Sequence, residues 1–259
     1  MKMHITENYL LNPAHPVTVT LIGCGGTGSQ VLTCLARIHS CLQAIGHPGL
    51  FVMAYDADIV TQANIGRQLF SPSETGLNKA IALISRLNRF FGTAWDAVPE
   101  EYNKQTAVSG NITISCVDSV KARIAISKKL NTFTREYKSR YAESYLKPYY
   151  WMDFGNTRDS GQVVLGTLLD IKQPKSRKYK TVPSLPTISE RFDLTVVDET
   201  DSGPSCSQAE ALRKQNLFIN SSLAQMGCDF IWRLLSEGMI DKAGLYLNLK
   251  TSNMNPMPL

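Results

Sequence analysis

Four glycines within six residues, Gly23, Gly25, Gly26 and Gly28, carry the clearest chemical signal in this sequence. They follow the β-branched run Val17–Ile22, and helical spacing starts directly after them at Val31, Leu32, Leu35 and Ile38. Strand, glycine turn and helix start together aim backbone N–H groups and the positive end of a helix dipole at a phosphate. Glycine permits the tight turn and the close approach that a Cβ would block. The same layout also serves as a plain strand–helix turn, so the motif alone leaves both readings open.

Further polar residues fall where such a site needs them. Asp56 ends the apolar run Leu50–Tyr55, and an acid at the carboxyl end of a second strand suits ribose hydroxyls. A turn aspartate is the other reading, and the one preferred for Asp58. Asn64, Arg67 and Lys79 place an amide, a guanidinium and an ammonium within sixteen residues. Arginine binds two phosphate oxygens at once and lysine acts as a point charge, which suits a triphosphate. Each taken singly also fits a solvated surface. Asp118 closes the strand-like run 111–118 and reads equally as a helix N-cap or a metal ligand. Cys206, between Ser205 and Ser207, stands just ahead of a helical pattern, where helix N–H groups favour a nucleophilic thiolate. An inert thiol at a helix start is the alternative.

The elements that must position these residues alternate between strand and helix. Residues 1–16 read as a polar arm. The first helix runs to Cys41 or Ile45, and a second spans 79–91. Strands are predicted at 50–55, 111–118, 149–155, 161–169 and 244–249, and a helix at 119–130. Residues 172–204 read as a mobile crossing loop, followed by a helix with a break near Asn220 and a loose tail from Met254 to Leu259. This pattern predicts one α/β domain over 1–259, with a Rossmann-like, doubly wound, mainly parallel sheet and an antiparallel C-terminal extension.

Composition narrows the function. The net charge is +5, from 27 basic and 22 acidic residues, and the excess is concentrated in 172–180. That points to a solvated basic loop or an acidic partner rather than to direct nucleic-acid binding. The six cysteines form no C-x-x-C pair and all four histidines precede residue 48, which argues against structural zinc. No apolar run of about 18 residues is present, and the expectation is a cytoplasmic protein with no membrane contact.

Taken together, GCGGTGS (23–29), DADIVTQANIGRQ (56–68), GLNKA (76–80) and CVDSVKAR (116–123) resemble the ThiF/MoeB/HesA superfamily, the activators of ubiquitin-like proteins. The resemblance covers the first half of the chain. DFGN (153–156), SGQVVLG (160–166) and SCSQAEAL (205–212) look most like the ThiF-related member of bacterial PRTRC gene cassettes. The resemblance implies ATP and Mg²⁺. It also implies a small ubiquitin-like (β-grasp) partner whose C-terminal carboxylate attacks the α-phosphate, giving an acyl adenylate and pyrophosphate. Carried over by position, Gly23, Gly25, Gly26 and Gly28 approach the nucleotide and Asp56 takes the ribose. Asn64, Arg67, Gln68 and Lys79 hold the phosphates, and Asp118 holds Mg²⁺. Catalysis then rests on Arg67, Lys79 and Asp118, with Cys206 as the residue for a thioester. A homodimer is expected from the family and from the apolar residues of the helix at 120–130.

Three departures bear on this reading. No arginine precedes Arg37, whereas such activators commonly bring one from near a partner subunit's N-terminus. Gly66 stands where a larger polar residue is usual, and Val117-Asp118-Ser119 replaces Thr-Asp-Asn. The stretch from Gly28 to Asp56 is long, which predicts an extension at 41–49. A nucleotide-binding scaffold without chemistry is therefore the rival function. A nicotinamide oxidoreductase has no candidate hydride site.

Overall fold

The computed structural model describes residues 1–102, 110–138, 143–196 and 215–259. The chain opens with Lys2–Ile5 (β1) and the short helix Asn8–Leu11 (α1). The glycine motif joins Val17–Ile22 (β2) to Gly26–Ala44 (α2). Leu50–Tyr55 (β3), Lys79–Phe91 (α3), Asp96–Val98 (β4), Ile112–Ser115 (β5) and Val120–Lys138 (α4) follow. Tyr150–Asn156 (β6), Ser160–Thr167 (β7), Lys180–Thr181 (β8) and Ile188–Arg191 (α5) come next. Ile219–Ser236 (α6), Met239–Ile240 (β9), Lys242–Asn248 (β10) and Asn253–Pro258 (β11) complete the described elements.

The main sheet has the order β11-β10-β7-β6-β5-β2-β3-β4. Strands β2 to β6 run parallel, and β7, β10 and β11 add an antiparallel extension. This is the expected Rossmann-like, doubly wound α/β architecture. Alternation along β2 sends Val17, Val19 and Leu21 into one core with α2, α3 and α6, and Ile22 into a second core on the other face. Local signals end the helices. Asn78 caps α3 by accepting the Ile81 N–H at 3.1 Å, and Gly92 stops it at φ 71°.

The structure corrects four expectations. The arm at 1–16 carries β1 and α1, and β1 is the middle strand of a small sheet with order β8-β1-β9. The part of the crossing loop described, 172–196, is tied down. Ile171 N–H bonds Pro183 O at 2.9 Å, Val182 N–H bonds Met3 O at 2.9 Å, and Leu185 and Ile188 are buried. The tail is β11, paired with β10 along 253–258. In α4, Ile126 and Leu130 pack into the second core with Trp151, Val164 and Ile188, so they do not form a free dimer face.

The small sheet is locked to the main one by a buried histidine. His4 Nδ1 lies 2.7 Å from Val182 O and Nε2 lies 2.8 Å from the Tyr150 hydroxyl. A carbonyl only accepts, so Nδ1 carries the hydrogen and Nε2 accepts from the tyrosine. Burial lowers the pKa of His4 below its usual 6.5. The unfolded chain therefore takes up this proton at a higher pH than the folded chain, and stability falls as pH drops below about 6.5. The urea midpoint should be lower at about pH 5.5 than at about pH 7.5, and His4→Gln should flatten that dependence. An unchanged slope in the variant would remove His4 as its source.

Candidate functional site

Register brings the functional residues to one edge. Ile22 pairs with Tyr55 on one side and Ser115 on the other, and Ser115 pairs with Asp153. The turns after β2, β3 and β5 therefore leave the sheet at one level, where the order reverses on either side of β2. Such a switch point, outside the carboxyl ends of parallel strands, is where open α/β sheets bind ligands.

The four glycines at this edge do different work. A Cβ on Gly28 would lie 1.9 Å from Gly23 O, so Gly28 lets α2 seat against the end of β2. Gly23 has φ +89°, and a Cβ there would meet Cys116 O at 2.8 Å. At Gly26 a Cβ would strike the Asn220 amide at 2.6 Å. Only at Gly25 is there room, its nearest neighbour being Gln68 Nε2 at 3.9 Å. Gly25 is also the N-cap of α2, where no side chain caps the first turn.

Asp56 joins two turns: its carboxylate accepts the Cys24 N–H at 2.6 Å and the Asp58 N–H at 2.8 Å. Burial pushes its pKa up, and these two bonds and Lys79 oppose the shift. Lys79 is buried and its Nζ reaches Asp58 Oδ2 at 2.7 Å. Asp58, read from the sequence as a turn residue, is thus the partner of the candidate phosphate lysine. The Asn64 side chain accepts from Thr61 N–H at 2.8 Å and forms a capping box, so its Oδ1 serves the local turn.

Arg67 and Gln68 hold unsatisfied polar atoms. Arg67 Nε and Gln68 Oε1 are buried with no hydrogen-bond partner among the described residues, and Gln68 is only 6% exposed. Arg67 Nη1 donates to Gln215 Oε1, which also accepts from Asn220 Nδ2 at 3.1 Å. Asn220 Oδ1 in turn accepts from Thr27 Oγ1 at 2.9 Å and Asn156 Nδ2 at 3.2 Å. One buried amide at the start of α6 thereby links the glycine turn, the end of β6 and the guanidinium. Sequence reading saw near Asn220 only a helix break.

Asp118 is exposed after β5, and no described residue bonds its carboxylate. It is not the cap of α4: Ser119 Oγ accepts the Ala122 N–H at 3.2 Å. Beneath it lies a pair the sequence did not reveal, Arg123 Nε with Asp153 Oδ2 at 3.1 Å. Among the described residues no cluster of three His, Cys, Asp or Glu side chains could hold a metal. Mg²⁺ bound to nucleotide phosphates needs only one or two carboxylates, which Asp118 fits. Burial pushes the thiols of Cys24 and Cys116 well up, away from reactivity. Cys206 lies outside the described residues.

The sequence profile of the ThiF family matches residues 13–139. Relatives include the ubiquitin-like modifier-activating enzyme 5 of Oryza sativa subsp. japonica, 26% identical in an alignment 151 residues long that covers 50% of this chain and 32% of that protein. The enzyme of the same name from Drosophila persimilis is 29% identical in an alignment 149 residues long that covers 51% of this chain and 36% of that protein. The chain thus spans about a third of the length of these relatives. E. coli MccB crystallised with ATP superposes at a TM-score of 0.58, with 13% identity, over 96% of this chain and 64% of MccB. Its crystal with MccA-N7isoASN gives 0.58, 14%, 93% and 64%. At these identities the likeness to MccB establishes a common fold. No helix among the described residues is long and apolar enough to cross a membrane.

The glycine geometry gives a paired expectation. Gly28→Ala should lower stability by about 3 kcal/mol or more, because backbone and not a flexible side chain meets the new methyl. Gly25→Ala should stay within about 1 kcal/mol of the parent yet weaken nucleotide binding. Urea titration and calorimetry with ATP read the two effects. A Gly28→Ala chain as stable as the parent would contradict this packing.

Proposed function

From a ThiF family domain over residues 13–139, we propose that the protein is an ATP-dependent adenylyltransferase that activates the C-terminal carboxylate of a protein or peptide. The observation that carries this reading is the pair of buried atoms with no hydrogen-bond partner among the described residues, Arg67 Nε and Gln68 Oε1, with the Gln68 amide 3.9 Å from where a Cβ on Gly25 would stand. An unmet buried donor or acceptor costs about 1–3 kcal/mol, and a ligand that satisfies it recovers that cost. A phosphate chain suits Arg67 Nε, and water or a ribose hydroxyl suits Gln68 Oε1.

In the proposed reaction a carboxylate oxygen bonds the α-phosphorus while the bond to the bridging oxygen breaks, and pyrophosphate leaves with the electron pair. The nucleophile is already an anion and needs no base. Arg67 and Lys79 balance the charge growing on the phosphates, Asp56 takes the ribose, and Gly25 allows the close approach. Asp118 would hold Mg²⁺, which supplies positive charge against the phosphates. Lys79 changes partner easily, because its Asp58 carboxylate is 71% exposed and a pair that open to water is weak.

The finer assignments rest on family resemblance: a β-grasp substrate, membership of the PRTRC group, a homodimer, a cytoplasmic setting and a thioester on Cys206. The dimer keeps only part of its supporting argument from α4, because Ile126 and Leu130 lie inside the second core while Val120 and Ile124 are half-buried. A nucleotide-binding scaffold without chemistry is the second reading.

ATP–pyrophosphate exchange with candidate carboxyl-terminal glycine proteins separates the two. The wild-type chain should catalyse exchange, Asp118→Ala should abolish it, and Arg67→Ala should slow it by about 10²–10³-fold. Asp118→Ala should leave stability unchanged, since Ser119 provides the cap. ATP binding without exchange would establish the scaffold. Cys206→Ala should retain exchange and lose any thiol-sensitive conjugate, and a conjugate that persists would place the acyl group elsewhere.

A further inference from the structure

We propose that Arg123, anchored by Asp153, is the positioning residue that sets where Asp118 stands over the strand ends. This rests on the reading of Asp118 as the carboxylate facing the nucleotide's metal ion. The backbone around Asp118 is pinned on both sides. Before it, Cys116 N–H bonds Ile22 O at 2.8 Å. After it, Ser119 Oγ caps α4 and Ser119 O accepts the Arg123 N–H at 3.2 Å. Between these anchors lie only Val117 and Asp118, and the carbonyl of Val117 is taken by Arg123 Nη2 at 2.6 Å.

The guanidinium is itself held from several directions. Nη2 also donates to Phe154 O at 2.9 Å, and Nε faces Asp153 Oδ2 at 3.1 Å and Oδ1 at 3.3 Å. Asp153 Oδ1 accepts from Ser115 Oγ at 2.5 Å, and Ser115 Oγ accepts from Trp151 Nε1 at 2.8 Å. Arg123 is 9% exposed and Asp153 1%.

A buried ion pair is poor value as stability alone, since well-packed apolar residues often do as well. Apolar side chains, however, cannot hold the Val117 carbonyl. The donors of the planar fork sit on separate nitrogens, so Nε and Nη2 meet the carboxylate and the two carbonyls at different points, a spread that three donors on lysine's single nitrogen do not reproduce. The pair therefore acts on Asp118 through the two-residue turn, in the way an outer partner orients a metal-binding carboxylate.

The test uses Arg123→Lys and the isosteric Asp153→Asn in the full chain, with hydrogen exchange read on the ligand-free protein. Amides 117–119 should exchange about tenfold faster or more, while those of β2 and α2 keep their rates. In pyrophosphate exchange the Mg²⁺ concentration for half-maximal rate should rise about tenfold, with the KM for the carboxylate substrate unchanged. If Arg123→Lys does not fold, Asp153→Asn gives the same readings. Unchanged protection at 117–119 overturns the proposal, and so does a uniform loosening of the whole sheet, which marks a purely structural pair. A wild-type chain without pyrophosphate exchange removes the adenylation reading instead, and hydrogen exchange then decides the role of Arg123 alone.

Discussion

The first turn of α2 rests on the first residue of the turn after β2, at a separation no side chain could survive. Gly28 meets Gly23 where a Cβ would come within 1.9 Å of a carbonyl oxygen. Seating the helix there leaves its uncapped N–H groups at the sheet edge and the Cys24 N–H within 2.6 Å of Asp56. It also brings Gly26 against Asn220, which ties α6 to the same turn. The strand ends, the acid after β3 and the amide at the start of α6 all follow from that one contact.

Polar groups at this edge divide into satisfied and waiting. Asp153, Asp56 and Asn220 are buried or largely so, and each has its bonds met within the chain. Such groups hold the frame rigid, because loosening any one of them would leave a buried polar atom unpaired. Arg67 Nε and Gln68 Oε1 are left unmet among the described residues, and Lys79 rests on a carboxylate that is mostly in water. The frame is fixed and the groups facing the opening are free to change partner, which is the arrangement expected of a preorganised electrostatic site.

The site is also not confined to the part of the chain matched by the family profile. Gln215, Asn220 and Asp153 all lie beyond residue 139, yet they bond Arg67, Thr27 and Arg123 within the match. The antiparallel extension, β7, β10 and β11, widens the sheet on the side away from the switch point. It covers the second core, where Met257 of β11 packs with Trp151 and Leu130.

The sequence alone was sufficient for β2, β3, α2 and α3, since a period of two or 3.6, a capping Asn78 and a closing Gly92 are local properties of short segments. It was also sufficient to bring Gly25, Asp56, Arg67 and Lys79 forward, because their types and order carry meaning without coordinates. The apolar stripe of α4 was visible too, but a stripe does not say what covers it, and only packing showed that Trp151 and Val164 do. β1 and β11 were missed for another reason. β11 is an edge strand with most of its residues in water, so it shows no apolar alternation, and β1 is held by segments 180–181 and 239–240. Tertiary structure alone decided that Arg123 meets Asp153 thirty residues on, and that Asn220 meets Thr27 across 193 positions. A hydrogen bond between distant residues depends on where two backbones come to lie, and neither residue type nor local spacing encodes that.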